Sequence, residues 1–327
     1  MRRTGYMRSH FVSCPVLAIA ALISFSVPAQ QYPNKPIRII IAIAAGSPTD
    51  VVMRAATGEV HGPLGQPLTI ENRPGGDQVI GAEACARSVP DGYTLCVISQ
   101  TGISTNPHVF SKLSYDPARD FKGVVPLWFL IQGMIVSGSL PVKSVEELRA
   151  LAIAKPGSLN LGNLGVGGPD LHRRWLNDKW NTQIVGVPYK GTNLVMNALI
   201  SGELQMSLTA LGGLGGQLKA GKVRLFAVGS SRRLKQFPEV PTYAEAGLDD
   251  APRTWWGLFA PAATPDAMVK RVNAEFVRLF REPRFAEFLE NQFLEPMPAS
   301  PEEFAVFLKE DFERAGVVVK KYNLPRQ

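Results

Sequence analysis

The strongest constraint on the fold is the β-branched run IRIIIAI at Ile37–Ile43, which leads directly into the small-residue loop AAGSPT. A strand that is apolar on both sides lies inside a sheet that helices cover on both faces. Further strands are predicted at Leu68–Glu71 and Tyr93–Ile98, with helices at Asp50–Val60 and Gly75–Arg87 between them. Asp50 is the expected helix cap. This βαβαβ order predicts an α/β protein with a mainly parallel sheet flanked by helices.

A second alternating series follows an apolar, extended crossing segment at 124–136. Its helices are predicted at 144–155, 169–180 and 194–201, and its strands at 159–161, 184–187, 204–209 and 225–228. The stretch 255–327 is mostly helical, at 265–281, 283–291 and 301–318, and should pack back on the first domain. We therefore expect two lobes, one made of 30–132 and 254–327 and the other of 133–253. A ligand cleft is expected between them.

Residues 1–29 have the layout of a secretory signal peptide, with three arginines before the apolar run Phe11–Val27. The alternative is a transmembrane anchor, but the run is shorter than the ~20 residues that a span needs.

Cys85 and Cys96 flank a turn. They either form a disulfide, which an exported protein can keep in an oxidising compartment, or remain two buried thiols. The sequence has no CxxC or HExxH spacing, so neither a metal site nor a cofactor is expected.

The charge of the chain favours a small anionic ligand. The formal net charge is +7, and three of the positive charges belong to the predicted signal peptide. No run of five or more Lys or Arg occurs, so nucleic acid is not an expected partner. A modest positive field suits a small anion.

Two loops that precede helices could bind such an anion through backbone N–H groups. At the first, Ala44–Asp50, the helix N-terminus leaves amides unpaired, Ser47 and Thr49 add hydroxyls, and Pro48 removes one amide. The second, Gly162–Gly168, is glycine-rich but lacks the position of a dinucleotide fingerprint. The alternatives are an ordinary strand-to-helix turn and a flexible linker.

Gln100, Thr101, Tyr189 and Thr209 are expected at the end of the pocket that selects the ligand. Trp128 and Phe129 either line that end too or belong to the core, and we favour the core. No catalytic residue is predicted. A rival hypothesis is a secreted hydrolase or isomerase that uses His172 with Ser47 or Asp50, although no nucleophile–base motif is present. The full set of predicted ligand-binding residues is Ala45, Gly46, Ser47, Pro48, Thr49, Asp50, Gln100, Thr101, Asn163, Gly165, Gly167, Gly168, Tyr189, Lys190 and Thr209.

Several ordered motifs carry a family resemblance: YPNKPIRIIIAIAAGSPTD, ENRPGG, PDGYTL, LSYDPARDF, VPYKG, PEVPTYAEAGL and GLFAPAATP. Over about residues 31–325 the chain resembles the Bug-type solute-binding proteins of the tripartite tricarboxylate transporter system. The resemblance implies a two-lobed Venus flytrap fold and capture of a small carboxylate in the periplasm. It also implies delivery to membrane permease subunits, with a sensor kinase as the other possible receiver. We expect a monomer.

The resemblance also implies how the ligand is held. In the family, backbone amides of two loops grip a carboxylate, partly through ordered waters, and these loops match Ala44–Asp50 and Asn163–Asp170. The chain departs from the family pattern at three places. Ser47 and Pro48 stand where glycines are usual. Asp170, Arg173 and Arg174 surround His172 in place of small and apolar residues, and Thr209 stands where an Asp or Asn is common nearby.

Overall fold

The computed structural model describes residues 1, 5, 32–163, 170–189, 192–212 and 214–324. The chain divides into the units Met1–Tyr32 and Pro33–Gln327, and the second unit is described below. The predicted signal peptide, apart from residues 1 and 5, lies outside the described residues. Among the helices that are described, none has the length and hydropathy needed to cross a bilayer.

The strands of the described residues form two sheets. They are β1 (Ile37–Ile41), β2 (Leu68–Asn72), β3 (Thr94–Ser99), β4 (Phe121–Leu130), β5 (Gln132–Ser137), β6 (Asn160–Asn163), β7 (Val185–Pro188), β8 (Met206–Ala210), β9 (Val223–Val228), β10 (Trp255–Pro261) and β11 (Leu294–Pro296).

Helices connect these strands, and a π-helical turn at Thr101–Thr105 precedes the third of them. They are α1 (Pro48–Leu64), α2 (Val79–Ala86), α3 (Asn106–Val109), α4 (Pro117–Asp120), α5 (Val145–Ala154), α6 (Leu171–Trp180), α7 (Thr192–Ser201), α8 (Gly215–Lys219), α9 (Asp266–Arg281), α10 (Pro283–Asn291) and α11 (Pro301–Lys321).

The larger sheet has the strand order β11-β4-β10-β3-β1-β2. The predicted βαβαβ unit is present, since β1 pairs in parallel with β2 on one side and β3 on the other. β10 comes from the C-terminal stretch and lies antiparallel between β3 and β4. The prediction that this stretch packs back on the first domain is therefore confirmed.

The smaller sheet has the order β7-β6-β8-β5-β9. β6 is parallel to β7 and β8, whereas β5 is antiparallel to β8 and β9. Both sheets are thus mixed. The expectation of mainly parallel sheets is right for the pairs that β1 and β6 make, and wrong for the pairs that β4, β5 and β10 make, which are antiparallel.

The chain passes from one sheet to the other at Ile131, between β4 and β5. Its N–H donates to the Phe293 carbonyl at 3.0 Å, and its own carbonyl accepts from the Leu211 N–H at 3.0 Å. Because Leu211 directly follows β8, the carboxyl end of β8 lies at the junction of the two sheets. The result is the two-lobed α/β fold that the sequence predicts.

Trp128 and Phe129, the two aromatic residues near the junction, belong to the core. Trp128 is fully buried and packs against Phe280 with ring centroids 6.3 Å apart. Phe129 packs edge-on against Phe307, and the Arg253 guanidinium lies 3.6 Å from its ring centroid. Their interpretation as core residues agrees with these contacts.

Cys85 on α2 and Cys96 on β3 form a disulfide, with their Cα atoms 6.1 Å apart. Both residues are fully buried. Of the two alternatives that the sequence leaves open, the structure has the bonded one.

Candidate ligand-binding site

The first loop is a tight turn that runs into a capped helix. Ser47 is the N-cap of α1, with its Oγ accepting from the Asp50 N–H at 3.3 Å. The prediction that Asp50 caps this helix is wrong. Helix α1 begins at Pro48, two residues before Asp50, because serine is a favoured cap and proline fits the first helical position.

The turn itself needs Gly46. Its φ is +77°, and the Ser47 N–H donates to the Ala44 carbonyl at 3.4 Å. A positive φ at the third of four turn residues is the signature of a type II turn, which favours glycine there. Ala45 is the second residue of this turn, the position that accepts proline most readily.

The Asp50 carboxylate holds this loop in place through hydrogen bonds. Its side chain is 3% exposed and accepts from the Gly46 N–H at 2.9 Å and from Asn72 Nδ2 at 2.9 Å. Arg54 adds a two-pronged contact at 3.0 and 3.1 Å. Burial opposes ionisation, but the hydrogen bonds from Arg54, Gly46 and Asn72 outweigh it and hold the pKa of Asp50 below its ordinary value. Asp50 is therefore a charged residue whose charge is matched by Arg54.

These hydrogen bonds determine which backbone N–H groups of the first loop remain available to a ligand. The Gly46 N–H is committed to Asp50, the Ser47 N–H to Ala44, and Pro48 has none. Within the described residues, the N–H groups of Ala44, Ala45 and Thr49 have no hydrogen-bond partner. These three donors lie at the positive end of the α1 dipole.

The first loop lies against the second sheet. A Cβ atom placed on Gly212 would lie 3.9 Å from both Cβ and Cγ of Pro48. Gly212 follows β8, which carries the buried Thr209 opposite Gly133. The geometry thus brings the first loop and the carboxyl end of β8 together, on either side of the junction between the sheets.

The second loop begins at Asn163, the last residue of β6, and ends at Asp170, the cap of α6. Residues 164–169, with the predicted Gly165, Gly167 and Gly168, lie outside the described residues. Asn163 is buried, and its Nδ2 donates to Asp170 Oδ1 at 3.1 Å. Its Oδ1 is buried and has no partner among the residues described.

Asp170 is held by the two arginines that follow it. Arg173 donates to both carboxylate oxygens at 2.6 and 2.7 Å, and Arg174 Nε donates to one of them at 2.8 Å. Burial opposes ionisation, but these arginines hold the pKa of Asp170 below its ordinary value. Asp170, Arg173 and Arg174 therefore form one ionic cluster with a net charge of about +1, in which the arginines compensate the buried charge of Asp170.

His172 does not meet the groups that the rival catalytic hypothesis needs. Its Nε2 lies 3.1 Å from the Pro252 carbonyl. Burial lowers the pKa of His172, so the ring is neutral at pH 7 and donates its Nε2–H to that carbonyl. Ser47 and Asp50 are bonded to other groups in the first loop. The contacts of the described residues thus include no nucleophile–base pair among these three.

The remaining predicted residues have different surroundings. Gln100 and Thr101 are half-buried at the start of the π-helical turn, where the Thr101 N–H donates to Ser99 Oγ at 3.2 Å. The Tyr189 N–H donates to the Asn163 carbonyl at 2.8 Å, while its hydroxyl donates to Glu203 at 3.2 Å. Lys190 lies outside the described residues.

Two residues that sequence reasoning missed are Arg54 and Asn72, which hold Asp50. Asn72 is the last residue of β2, in the ENRPGG motif, and its position at the carboxyl end of a parallel strand is a usable signal. Arg54 is four residues after Asp50, the spacing of a helical ion pair.

Two cavities of the described residues are lined by no residue of either loop. One, of 470 Å³, borders α1 and β2 and touches Arg54. The other, of 660 Å³, lies beside α9 and α11 and is lined by apolar side chains that include Phe121, Phe259 and Phe312. Within the part of the chain that is described, no group of His, Cys, Asp or Glu could hold a metal ion.

Comparison with known proteins now identifies the family. The family described as tripartite tricarboxylate transporter family receptor matches residues 52–324. The chain belongs to this family. A protein from Cupriavidus necator, named UPF0065 protein in gbd 5'region, is 30% identical over 326 residues, which cover 98% of this chain and 99% of that protein.

Three solved structures of similar proteins share the fold of this receptor. A periplasmic transporter is 33% identical with a TM-score of 0.77, covering 90% of this chain and 99% of that one. An R. palustris protein with adipate is 26% identical with a TM-score of 0.77, covering 90% and 100%. MatC from Rhodopseudomonas palustris with bound malate is 29% identical with a TM-score of 0.71, covering 88% and 100%.

Proposed function

We propose that this receptor binds a small carboxylate between its two lobes in the periplasm and delivers it to permease subunits of a tripartite transporter. The observation that carries the proposal is the first loop, where the N–H groups of Ala44, Ala45 and Thr49, at the N-terminus of α1, have no partner among the residues that the structure describes. Hydrogen bonds from such donors to a carboxylate are about twice as strong as those to a neutral acceptor.

Electrostatics supports an anionic ligand despite the two acids in the loops. Asp50 is matched by Arg54, and Asp170 is matched by two arginines. A carboxylate that approaches the loops therefore meets no uncompensated negative charge from either acid. The dipole of the 17-residue α1 adds a positive end at the first loop.

The proposed ligand class and cellular location are supported by what similar proteins bind and how they are described. Two similar proteins are solved with adipate and with malate, both dicarboxylates. Another is described as a periplasmic transporter, which agrees with the signal peptide predicted at 1–29. On this proposal, 30–132 with 254–327 and 133–253 are the lobes that close on the ligand.

The test is a thermal-shift screen of the mature protein against succinate, malate, adipate, citrate and benzoate. A ligand at 100 times its dissociation constant stabilises the folded state by ~2.7 kcal/mol, which raises the melting temperature measurably. We expect at least one carboxylate to do so and to be recovered chemically unchanged. If no carboxylate stabilises the protein, the proposal is wrong.

A matched pair of variants at Ala45 tests the loop. Ala45→Pro removes one free N–H at a turn position that accepts proline, whereas Ala45→Ser keeps it. We expect Ala45→Pro to weaken binding about tenfold, since one charge-assisted hydrogen bond is lost, and Ala45→Ser to bind like the wild type. Equal binding by both variants would exclude the Ala45 amide from the site.

A further inference from the structure

The orientation of the Asn163 side chain is fixed by its neighbour. Its contact with Asp170 Oδ1, at 3.1 Å, must use the Asn163 nitrogen, because an ionised carboxylate only accepts hydrogen bonds. Asp170 in turn cannot rotate freely, since Arg173 and Arg174 hold both of its oxygens. The Asn163 Oδ1 atom therefore points away from the ionic cluster.

This oxygen is a buried acceptor with no partner. Asn163 is 8% exposed, and its Oδ1 has no hydrogen bond within the described residues. Two donors near it in the described part of the chain are committed elsewhere. Ser207 Oγ donates to the Gly162 carbonyl at 2.9 Å, and the third Arg173 nitrogen donates to the Ile184 carbonyl at 3.3 Å. Buried carbonyl oxygens are rarely left unpaired, so this one needs an explanation.

The position of Asn163 points to the ligand as the missing donor. It is the last residue of β6, at the end of parallel strands where ligands bind in open α/β sheets. A carboxylate oxygen cannot satisfy an acceptor and is repelled by it. The first loop, by contrast, offers only donors at its free amides.

We propose that the ligand of this receptor carries a hydroxyl or N–H group besides its carboxylate, and that Asn163 Oδ1 accepts a hydrogen bond from that group. This rests on the proposed function. It narrows the substrate class to hydroxy, amino or amido carboxylic acids. A plain carboxylate of the same length leaves Asn163 Oδ1 unpaired in a closed site and should bind about tenfold more weakly or worse.

The experiment is calorimetric titration of the mature protein with matched pairs: succinate against malate and aspartate, and glutarate against 2-hydroxyglutarate and glutamate. We expect one donor-bearing member to bind at least about tenfold more tightly than its plain counterpart. In Asn163→Leu this preference should vanish, so that the two members of a pair bind with similar affinity.

Asn72→Leu is the matched control. The Asn72 side chain donates to Asp50 in the way that Asn163 donates to Asp170. Unlike the Oδ1 of Asn163, the Oδ1 of Asn72 already accepts a hydrogen bond, from Arg54 at 3.0 Å. This variant should shift both members of a pair equally. Near-ultraviolet circular dichroism shows whether each variant is folded, and the wild-type comparison stands even where a variant is not.

The outcomes separate the two proposals. If plain and donor-bearing acids bind the wild type equally, the donor inference is wrong and the carboxylate receptor stands. If the preference survives in a folded Asn163→Leu, Asn163 is not the acceptor. If no acid binds, the proposed function fails, and this inference with it.

Discussion

At the scale of single residues, Asp50 and Asp170 have matching surroundings in the two halves of the protein. Each is a buried acid at the start of a helix, bonded to an arginine within the next turn and to an asparagine that ends a strand. The asparagines are Asn72 and Asn163. An acid near a helix N-terminus is stabilised by the helix dipole, and each also fixes the loop beside it.

The first prediction concerns Asp50. Asp50→Ala leaves the Gly46 N–H, Arg54 and Asn72 without their shared acceptor. We expect the free energy of unfolding at pH 7 to fall by about 2 kcal/mol, as for other buried hydrogen-bonded charges with one partner partly exposed. Urea unfolding followed by tryptophan fluorescence measures it. Asp50→Asn, which keeps the size of the side chain, should lose less.

The stability difference between the wild type and Asp50→Ala should depend on pH in a defined way. The folded-state pKa of Asp50 is lowered, so its contribution is fully present above the unfolded-state pKa of about 3.9 and is lost as the pH falls through the folded-state pKa. The stability difference between wild type and Asp50→Ala should be constant between about pH 7 and 5 and shrink below about pH 4. A difference that stays unchanged to pH 3 would contradict the assignment of charge to Asp50.

At the scale of elements, α2 depends on its neighbours. It has 8 residues, and its N-cap Gln78 is left-handed and makes no side-chain cap bond. So short a helix is marginal in isolation. The Cys85–Cys96 disulfide ties it to β3, and Gly81 lets it approach β1 so closely that a Cβ there would lie 2.7 Å from Ala42.

The second prediction concerns this disulfide. With a sequence separation of 11 residues, loop-closure entropy predicts that removing the bond by Cys85→Ala with Cys96→Ala costs about 3 kcal/mol of unfolding free energy. Urea unfolding of the double variant against the oxidised wild type measures this. Adding reductant during unfolding should destabilise the wild type but not the variant. If reductant affects both equally, the disulfide is not the cause.

The sequence predicted most elements, because alternating apolar runs and proline or serine helix starts are local signals. It missed the mixed direction of the sheets and the π-helical turn at Thr101–Thr105, because strand direction depends on how the chain crosses between sheets. It could place the first loop before a helix. It could not show that Asp50 takes the Gly46 amide, since that arrangement also needs Asn72, 22 residues away.

At the scale of the whole molecule, the end of α11 connects the two sheets. Phe304, near its start, is buried with Trp255 in the core of the larger sheet, at 5.9 Å between ring centroids. Tyr322, just after its end, packs on the core of the smaller sheet. Its carbonyl accepts from Arg174 at 2.9 Å, and Lys321 pairs with Asp178 on α6 at 2.5 Å. The C-terminal helix thus joins the sheets at a point separate from the crossing at Ile131.

The third prediction tests this connection. Tyr322→Ala removes the half-buried ring from the core of the smaller sheet and should lower the free energy of unfolding by about 1–2 kcal/mol. Amide hydrogen exchange in α6 should also become faster. The control is Lys321→Ala, which removes an exposed, solvent-screened ion pair and should lower the free energy of unfolding less than Tyr322→Ala does. Unchanged exchange in α6 after Tyr322→Ala would show that the end of α11 does not support that helix.

The ionic cluster at Asp170 also restricts how such a sequence can change by single mutations. Loss of Asp170 alone leaves two arginines without their acceptor, and loss of Arg173 alone removes the two-pronged contact that neutralises a buried acid. Each single step passes through a less stable chain, whereas exchanging all three residues together does not. We therefore expect the three residues of this cluster to be gained or lost together.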